Sequence, residues 1–241
     1  MIRTVKISFN EVSPMLTLKK VGVGIHKEFI MKKTNDIRID TSKLHPYLNY
    51  LMKKGIKKCN AKGIYLIITE GFRTVAYQNK LYAKGRTSAG SIVTNAKGTD
   101  YASQHQWGIA FDIAINGTSK ELYNADLMRK ASKCFKEVGL SWGGDWTSPV
   151  DFPHFYLGKW GDTTSKLKRK FGTPTKFKKY WKRKVKKKTN LYKNRSMTKK
   201  VHKIKKGGKM DVLWYSKLGI AKVIHKGKVG YVYRNKFAKI S

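Results

Sequence analysis

Acidic residues are scarce in this chain. Its 241 residues include 14 Asp and Glu against 53 Lys and Arg, a formal net charge of +39 at pH 7. Such a field implies a polyanionic partner and says nothing about the fold. Nucleic acid, a membrane surface and the anionic polymers of a bacterial wall are the candidates. Cysteine is nearly missing too. Cys59 and Cys134 stand far apart, each among apolar neighbours in a helix-like stretch. Their number excludes a disulfide scaffold or a zinc ribbon and leaves two inert buried thiols. Nor is there an apolar run long enough to span a bilayer. The first ten residues, MIRTVKISFN, interrupt any apolar core with polar residues, unlike a signal peptide. The expectation is a protein made in a host cytoplasm that reaches an outside site of action only after release.

What is present is ordinary in bulk, with 40% apolar and 28% charged residues, as in globular proteins. The length suits one enzyme-sized domain and a small accessory module. The charge is divided unevenly. Residues 1–165 carry 25 basic and 13 acidic groups, whereas residues 166–241 carry 28 and 1. This composition break places a boundary near Ser165.

Residues 1–34 hold short β-like runs (4–9 and 16–23) and read as an N-terminal extension packed on the first domain. From Thr41 the pattern sharpens. Leu44, Leu48, Leu51 and Met52 recur at helical spacing, with Thr41 or Ser42 as a cap. Ile64-Tyr65-Leu66-Ile67-Ile68-Thr69 is a short β-branched apolar run, as in a buried strand. Residues 74–83 read as a helix, 84–102 as a long loop, 107–115 as a strand, 119–138 as an amphipathic helix and 154–157 as a last strand. The mixture lacks a regular β-α-β repeat, so the fold class is α+β. Residues 166–188, with 13 Lys or Arg and no acid, read as a basic linker. Beyond them, short apolar runs separated by Gly-bearing turns suggest a small all-β barrel.

The chemistry concentrates in Ser103-Gln104-His105-Gln106-Trp107-Gly108-Ile109-Ala110-Phe111-Asp112. His105 and Asp112 are both good zinc ligands. On a helix, seven positions separate them by about 10 Å. On a straight strand an odd spacing puts them on opposite faces. One shared metal therefore requires a bend, and Gly108 is the place for it. Asp151-Phe152-Pro153-His154 supplies a third ligand in His154 and a general base in Asp151, which can take a proton from a metal-activated water and pass it to a leaving amine. Taken singly, His105 or His154 is more often a packed or surface residue; jointly the pattern is far less expected by chance. His26, His45, His202 and His225 lack such surroundings and read as non-functional.

Gly71-Phe72-Arg73-Thr74 with Gln78, Ser103-x-His105 with Asp112, and Asp151-x-x-His154 resemble the zinc D-Ala-D-Ala carboxypeptidase and L-alanyl-D-glutamate endopeptidase family, whose metal-site fold is shared with hedgehog-type domains and whose phage members are endolysins. The resemblance covers roughly residues 40–160. It implies a small mixed domain with a central antiparallel sheet holding Zn2+ through His105, Asp112 and His154. Asp151 would be the base, Arg73 the cation that steadies the substrate carbonyl and its oxyanion, and Gln78 and Ser103 residues lining the substrate site. A fixed cation beside a developing oxyanion is worth several kcal/mol. Many relatives have Glu where this chain has Asp151. The Asp form resembles the endopeptidase branch, which favours the L-Ala–D-Glu bond of the stem peptide over terminal D-Ala. Trp142-Gly143-Gly144-Asp145-Trp146 resembles the family's stretch before the last ligand. There Asp145 reads equally as a group orienting a ligand or as a simple turn.

Leu191-Tyr192, the Ile204-Lys205-Lys206-Gly207 turn and Gly227-Lys228-Val229-Gly230-Tyr231-Val232 resemble a bacterial Src-homology-3-like wall-binding domain. Trp214, Tyr215, Tyr231 and Tyr233 are then candidates for its groove or for its core. The organisation expected is an extension (1–34), a zinc peptidase domain (35–165), a basic linker (166–189) and a wall-binding domain (190–241). The function expected is an endolysin-like peptidoglycan hydrolase, with anionic wall polymers as partners of the Lys-rich half and no specific nucleic acid, since no base-reading motif is present. A D-Ala-D-Ala carboxypeptidase on the same fold, and a non-enzymatic polyanion-binding protein, are the competing readings.

Overall fold

The structure, a computed structural model, describes residues 34–216 and 218–239. The expected N-terminal extension lies outside the described residues except for Thr34. In chain order the first unit runs β1 (Asp36–Ile37), α1 (Pro46–Asn60), β2 (Leu66–Glu70), α2 (Val75–Ala83), β3 (Ala110–Ile115), α3 (Ala125–Glu137), β4 (Ser141–Trp142) and β5 (His154–Tyr156). Two short helices follow, α4 (Ser165–Phe171) and α5 (Pro174–Trp181). The remainder is strands: β6 (Lys182–Val185), β7 (Thr189–Tyr192), β8 (Lys200–Ile204), β9 (Lys209–Tyr215), β10 (Ile220–His225), β11 (Lys228–Tyr233) and β12 (Phe237–Lys239). The fold is thus α+β with two sheets.

The first sheet has the order β1-β2-β3-β5-β4. β1 pairs with β2 in parallel and every other pairing is antiparallel. Alternation along β3 sends Phe111, Ile113 and Ile115 into one core face. Phe155 of β5 joins them, stacked on Phe111 at 5.8 Å. α1 and α3 cover this face. Leu48, Leu51, Met52, Ile56 and Cys59 form the buried stripe of α1, and Met128, Ala131, Cys134 and Phe135 that of α3. The two helices approach so closely that a Cβ on Gly55 would lie 2.0 Å from the Phe135 ring. No side chain fits there without displacing α3. Both cysteines are buried as free thiols, and burial pushes the Cys59 thiol up.

Helix ends differ from expectation for local reasons. Residues 41–43 form a separate short turn capped by Asp40, whose carboxylate accepts from Ser42 N at 3.0 Å. α1 is instead capped by His45, whose Nδ1 accepts from Tyr47 N at 3.0 Å, with Pro46 in the first turn. α3 starts at Ala125 because Glu121 ties back to Thr118 N at 2.7 Å, closing a turn, and Asn124 then caps the helix.

The expected linker is folded. Thr173 Oγ1 accepts from Lys176 N at 3.3 Å and Pro174 opens α5. Phe177 and Trp181, one turn apart, are buried. Phe177 meets Trp107 at 5.7 Å and Trp160 at 5.2 Å, and Trp181 meets His45 at 4.7 Å and Tyr215 at 5.6 Å. Leu167, Phe171, Phe177 and Trp181 had the spacing of helix faces. The lysines between them hid it, because their charges stay on the solvent side while the apolar stripe is buried.

The second sheet runs β12-β6-β9-β10-β11-β7-β8 and is antiparallel throughout. A closed barrel was expected. Closure requires a ladder between the edge strands, and among the described residues β8 and β12 are not paired. Apolar side chains of both sheets and of α4 and α5 belong to one continuous core.

His45 lies in that core. Burial first, then the nearby Lys159 ammonium, lowers its pKa to about 3 from the ordinary 6.5. The unfolded chain takes up a proton below pH 6.5 that the folded chain refuses until about pH 3. Stability therefore falls as pH drops through that window, by about 1.4 kcal/mol per unit for this one group. Melting temperature should decline more steeply between about pH 6 and pH 4 in the wild type than in His45→Asn, which keeps the cap but cannot titrate. Parallel pH profiles would contradict the assignment.

Candidate metal centre

The site is assembled on the sheet face opposite Phe111 and Phe155. β3 and β5 are registered so that Asp112 stands directly across from His154. Cross-strand partners share a face at short range, and here Asp112 Oδ1 lies 3.0 Å from His154 Nδ1. The third member comes from the residues before β3. Gln104–Trp107 form a single 3-10 turn, and Gly108 leaves it at φ 65. This is the bend that the seven-residue spacing demands. A Cβ at Gly108 would also sit 2.8 Å from the Lys43 carbonyl oxygen, so glycine is required twice over. The reversal brings His105 Nε2 to 3.2 Å from Asp112 Oδ1 and 3.2 Å from His154 Nδ1. One donor atom from each residue lies within 4.8 Å of the others.

Hydrogen bonds on the far side of each ring set the tautomers. His105 Nδ1 faces the Gly71 carbonyl at 2.7 Å and so carries the proton. The Gln104 side-chain amide donates to the Gly161 and Asp162 carbonyls at 3.3 and 3.1 Å. That leaves its oxygen, 2.7 Å away, to accept from His154 Nε2. Both inward-facing nitrogens are therefore lone pairs. Burial alone would raise the Asp112 pKa; the two imidazoles outweigh it and keep a carboxylate. Three acceptors thus converge with no proton left to share, which is a donor set that suits a divalent cation.

Charged groups surround the cluster. Arg73 follows β2, and its backbone N–H donates to the His105 carbonyl at 3.2 Å. Its guanidinium lies 3.3 Å from Asp112 Oδ2, 3.3 Å from Glu70 Oε2 and 3.4 Å from Gln78 Oε1. Asp151 begins the turn into β5, and its N–H donates to the Gly143 carbonyl at 3.1 Å. Burial, then the charge of Asp112, raises its pKa from the ordinary carboxylate value.

Other expectations fall differently. Gln78, expected to line the substrate site, is fully buried. Its amide is spent on Arg73 and, through Nε2, on Thr94 Oγ1 at 3.2 Å and the Ala96 carbonyl at 2.9 Å. It ties the 84–97 loop to the arginine. Ser103 is buried at the mouth of the His105 turn, its N–H 3.4 Å from Gln106 Oε1. Asp145 pairs with Lys136 at 2.8 Å on the exposed surface and orients no ligand. Trp146 of the same stretch lies against His154 at 5.1 Å. Two contributors escaped the sequence reading, Glu70 and Gln104. Each was adjacent to a recognised motif, but polar neighbours carry no periodic signal.

Two imidazoles and a carboxylate around one point, a second carboxylate of raised pKa and a caged guanidinium define a metal-dependent hydrolase. Residues 96–157 match the family model described as D-alanyl-D-alanine carboxypeptidase. The peptidoglycan L-alanyl-D-glutamate endopeptidase CwlK of Bacillus subtilis (strain 168) is 35% identical over 126 residues, 48% of this chain and 74% of that protein. A solved structure, the Serratia marcescens L-Ala D-Glu endopeptidase ChiX, is 19% identical with a TM-score of 0.36, over 48% of this chain and 82% of that one. The chain belongs to the D-alanyl-D-alanine carboxypeptidase family of zinc metallopeptidases.

The Gln104 bond yields a prediction. Gln104→Leu should weaken zinc binding about 10- to 100-fold, read by competition with a chromophoric chelator. Gln104→Glu, which keeps an acceptor, should lose less. Equal affinities in all three proteins would refute a role in holding the His154 tautomer.

Proposed function

We propose that the chain hydrolyses the L-Ala–D-Glu bond of the peptidoglycan stem peptide. The observation that carries this is the convergence of His105, Asp112 and His154 beside Asp151. The three converging residues are the ones that would hold zinc, through His105 Nε2, an Asp112 oxygen and His154 Nδ1. Zinc there supplies a Lewis acid that makes water a better nucleophile and polarises a carbonyl.

The protein's own groups do the rest. Asp151 takes the proton of the attacking water and delivers it to the departing amine. Its raised pKa makes it a stronger base than a free carboxylate toward the attacking water, and the proton it then holds is the one it passes to the amine. Arg73 faces the charge that develops on the carbonyl oxygen. Glu70, Asp112 and Gln78 fix its guanidinium beforehand, so no reorganisation is needed in the transition state. Trp146 walls the site on the His154 side.

The bond assignment rests on Asp at position 151 and on CwlK, which is named for that cleavage. The second reading, removal of terminal D-Ala, draws on the description of the matching family model. Residues 35–165 then form the peptidase domain. The strands from β6 onward form a barrel-like module of Src-homology-3 type that holds the wall. Its strong curl, which brings His202 of β8 within 2.7 Å of His225 of β10, supports that reading. α4 and α5 join the units. No described helix is long and apolar enough to cross a membrane, and the site of action is the bacterial wall, by an endolysin-like route after release.

Digestion of purified peptidoglycan followed by mass spectrometry should show new N-terminal D-Glu on the stem peptides, and a chelator should prevent it. Free D-Ala as the sole product would select the second reading. Asp151→Asn should lower kcat by about 10²- to 10⁴-fold while zinc content stays at wild-type level. Full activity in His105→Ala would sink both readings.

A further inference from the structure

Outside the catalytic centre, a broad concave surface belongs to the C-terminal half. It is a solvent-open cavity of about 780 Å³ lined by, among others, Tyr180, Arg183, Lys186, Tyr215, Tyr233 and Arg234. No carboxylate among the described residues lines it. Among the described residues, none of its three cations is in an ion pair. Arg183 is only 4% exposed. Its Nη1 donates to the Lys182 and Lys179 carbonyls at 2.7 and 3.4 Å, and its guanidinium lies over the Tyr180 ring at 5.0 Å and the Tyr215 ring at 5.7 Å. Arg234 lies over the same Tyr215 ring at 5.2 Å and donates to the Ser216 carbonyl.

A guanidinium withdrawn from water without a counter-charge is costly, and ring faces offset only part of that. Two guanidinium groups on one ring, with a lysine at the same cavity, also repel each other. An entering anion relieves both penalties. The planar forks of Arg suit phosphate oxygens. A single small anion does not account for the rest of the half, in which 28 basic residues accompany 1 acid over residues 166–241. A chain of phosphates running out of the cavity across that surface does.

We propose that this cavity is a phosphate-binding site for a non-aromatic phosphodiester polymer, of the polyol-phosphate kind borne by bacterial walls. The assignment of a wall polymer rests on the wall-hydrolase reading above. Nucleic acid is disfavoured by the rings. Tyr215 already carries Arg183 and Arg234, and Tyr180 carries Lys170 and Arg183. Among the described residues that leaves the exposed Tyr233 ring as the one lining tyrosine without a cation over it, a single platform where base stacking along a strand uses successive ones.

The test uses the full chain loaded with zinc and poly(glycerol phosphate) at about 150 mM salt, where long-range attraction is screened. Lys186→Gln with Arg234→Gln, both exposed positions, removes two cavity cations. Lys200→Gln with Lys228→Gln, also exposed, removes the same charge elsewhere. The cavity pair should weaken binding about tenfold or more, the control pair less than about threefold. Melting temperature and cleavage of a soluble stem peptide should be unchanged in both. Equal losses in the two pairs would overturn the proposal in favour of a diffuse field. Inorganic phosphate bound as tightly as the polymer would overturn it in favour of a small-anion site. Single-stranded DNA of equal charge bound more tightly, with the same dependence on the cavity pair, would make it a nucleic-acid site. Loss of peptide cleavage in the wild type is a separate readout and would tell against the hydrolase reading alone.

Discussion

Asp112 and His154 face each other across antiparallel strands, and the rest of the site is arranged around that pairing. The register is held from the opposite face, where Phe111 and Phe155 stack on each other and meet Phe135 of α3 edge-on and tilted. Slippage of either strand by one residue would put its phenylalanine into the polar cluster and its acceptor into the core. The hydrophobic packing that stabilises the sheet is thus also what sets the spacing of the metal-facing atoms. Gly55 belongs to the same constraint, because it lets α1 press α3 down onto that face.

Orientation comes from a second layer of polar contacts. The Gly71 carbonyl and the Gln104 amide occupy the outward nitrogens of His105 and His154, so the inward ones are left as lone pairs. An ion pair with Glu70 and a hydrogen bond to Gln78 hold Arg73 in place. Such contacts restrict each side chain to one geometry before any ligand arrives, and the reorganisation that bound metal or substrate would otherwise require is already done. Gln104 in turn hangs on the Gly161 and Asp162 carbonyls, just ahead of α4. The segment leaving the catalytic unit therefore helps to hold a metal-facing ring.

That segment also joins the two halves. α5 inserts Phe177 and Trp181 between Trp107, Trp160 and His45 on one side and Tyr215 on the other. Its lysines remain in solvent. One short helix satisfies two demands: an apolar seam that fixes the second sheet to the first, and an outward cationic face. The buried Arg183 at the start of β6 continues from that seam into the cation-lined cavity.

Sequence by itself determined the fold class, the convergence of His105, Asp112 and His154, and the need for a bend at Gly108. It could do so because each rests on a local rule: periodicity, the ligand chemistry of His and Asp, or the geometric impossibility of a straight strand. Contacts between distant segments decided the rest. Gln78 looked like a substrate-lining residue, yet it is buried behind Arg73 once α2 packs against the 84–97 loop. The basic linker became α4, α5 and β6 because the aromatics among its lysines have a partner surface only in the folded chain. Gln104 carries no signal of its own, since the carbonyls that give it a task arrive from 57 and 58 residues later. Glu70 is a local neighbour of Arg73, and its part shows only once the same guanidinium is seen to reach Asp112 on a different strand. Local chemistry chose the reacting groups; tertiary packing chose their tautomers, their distances and which neighbours hold them.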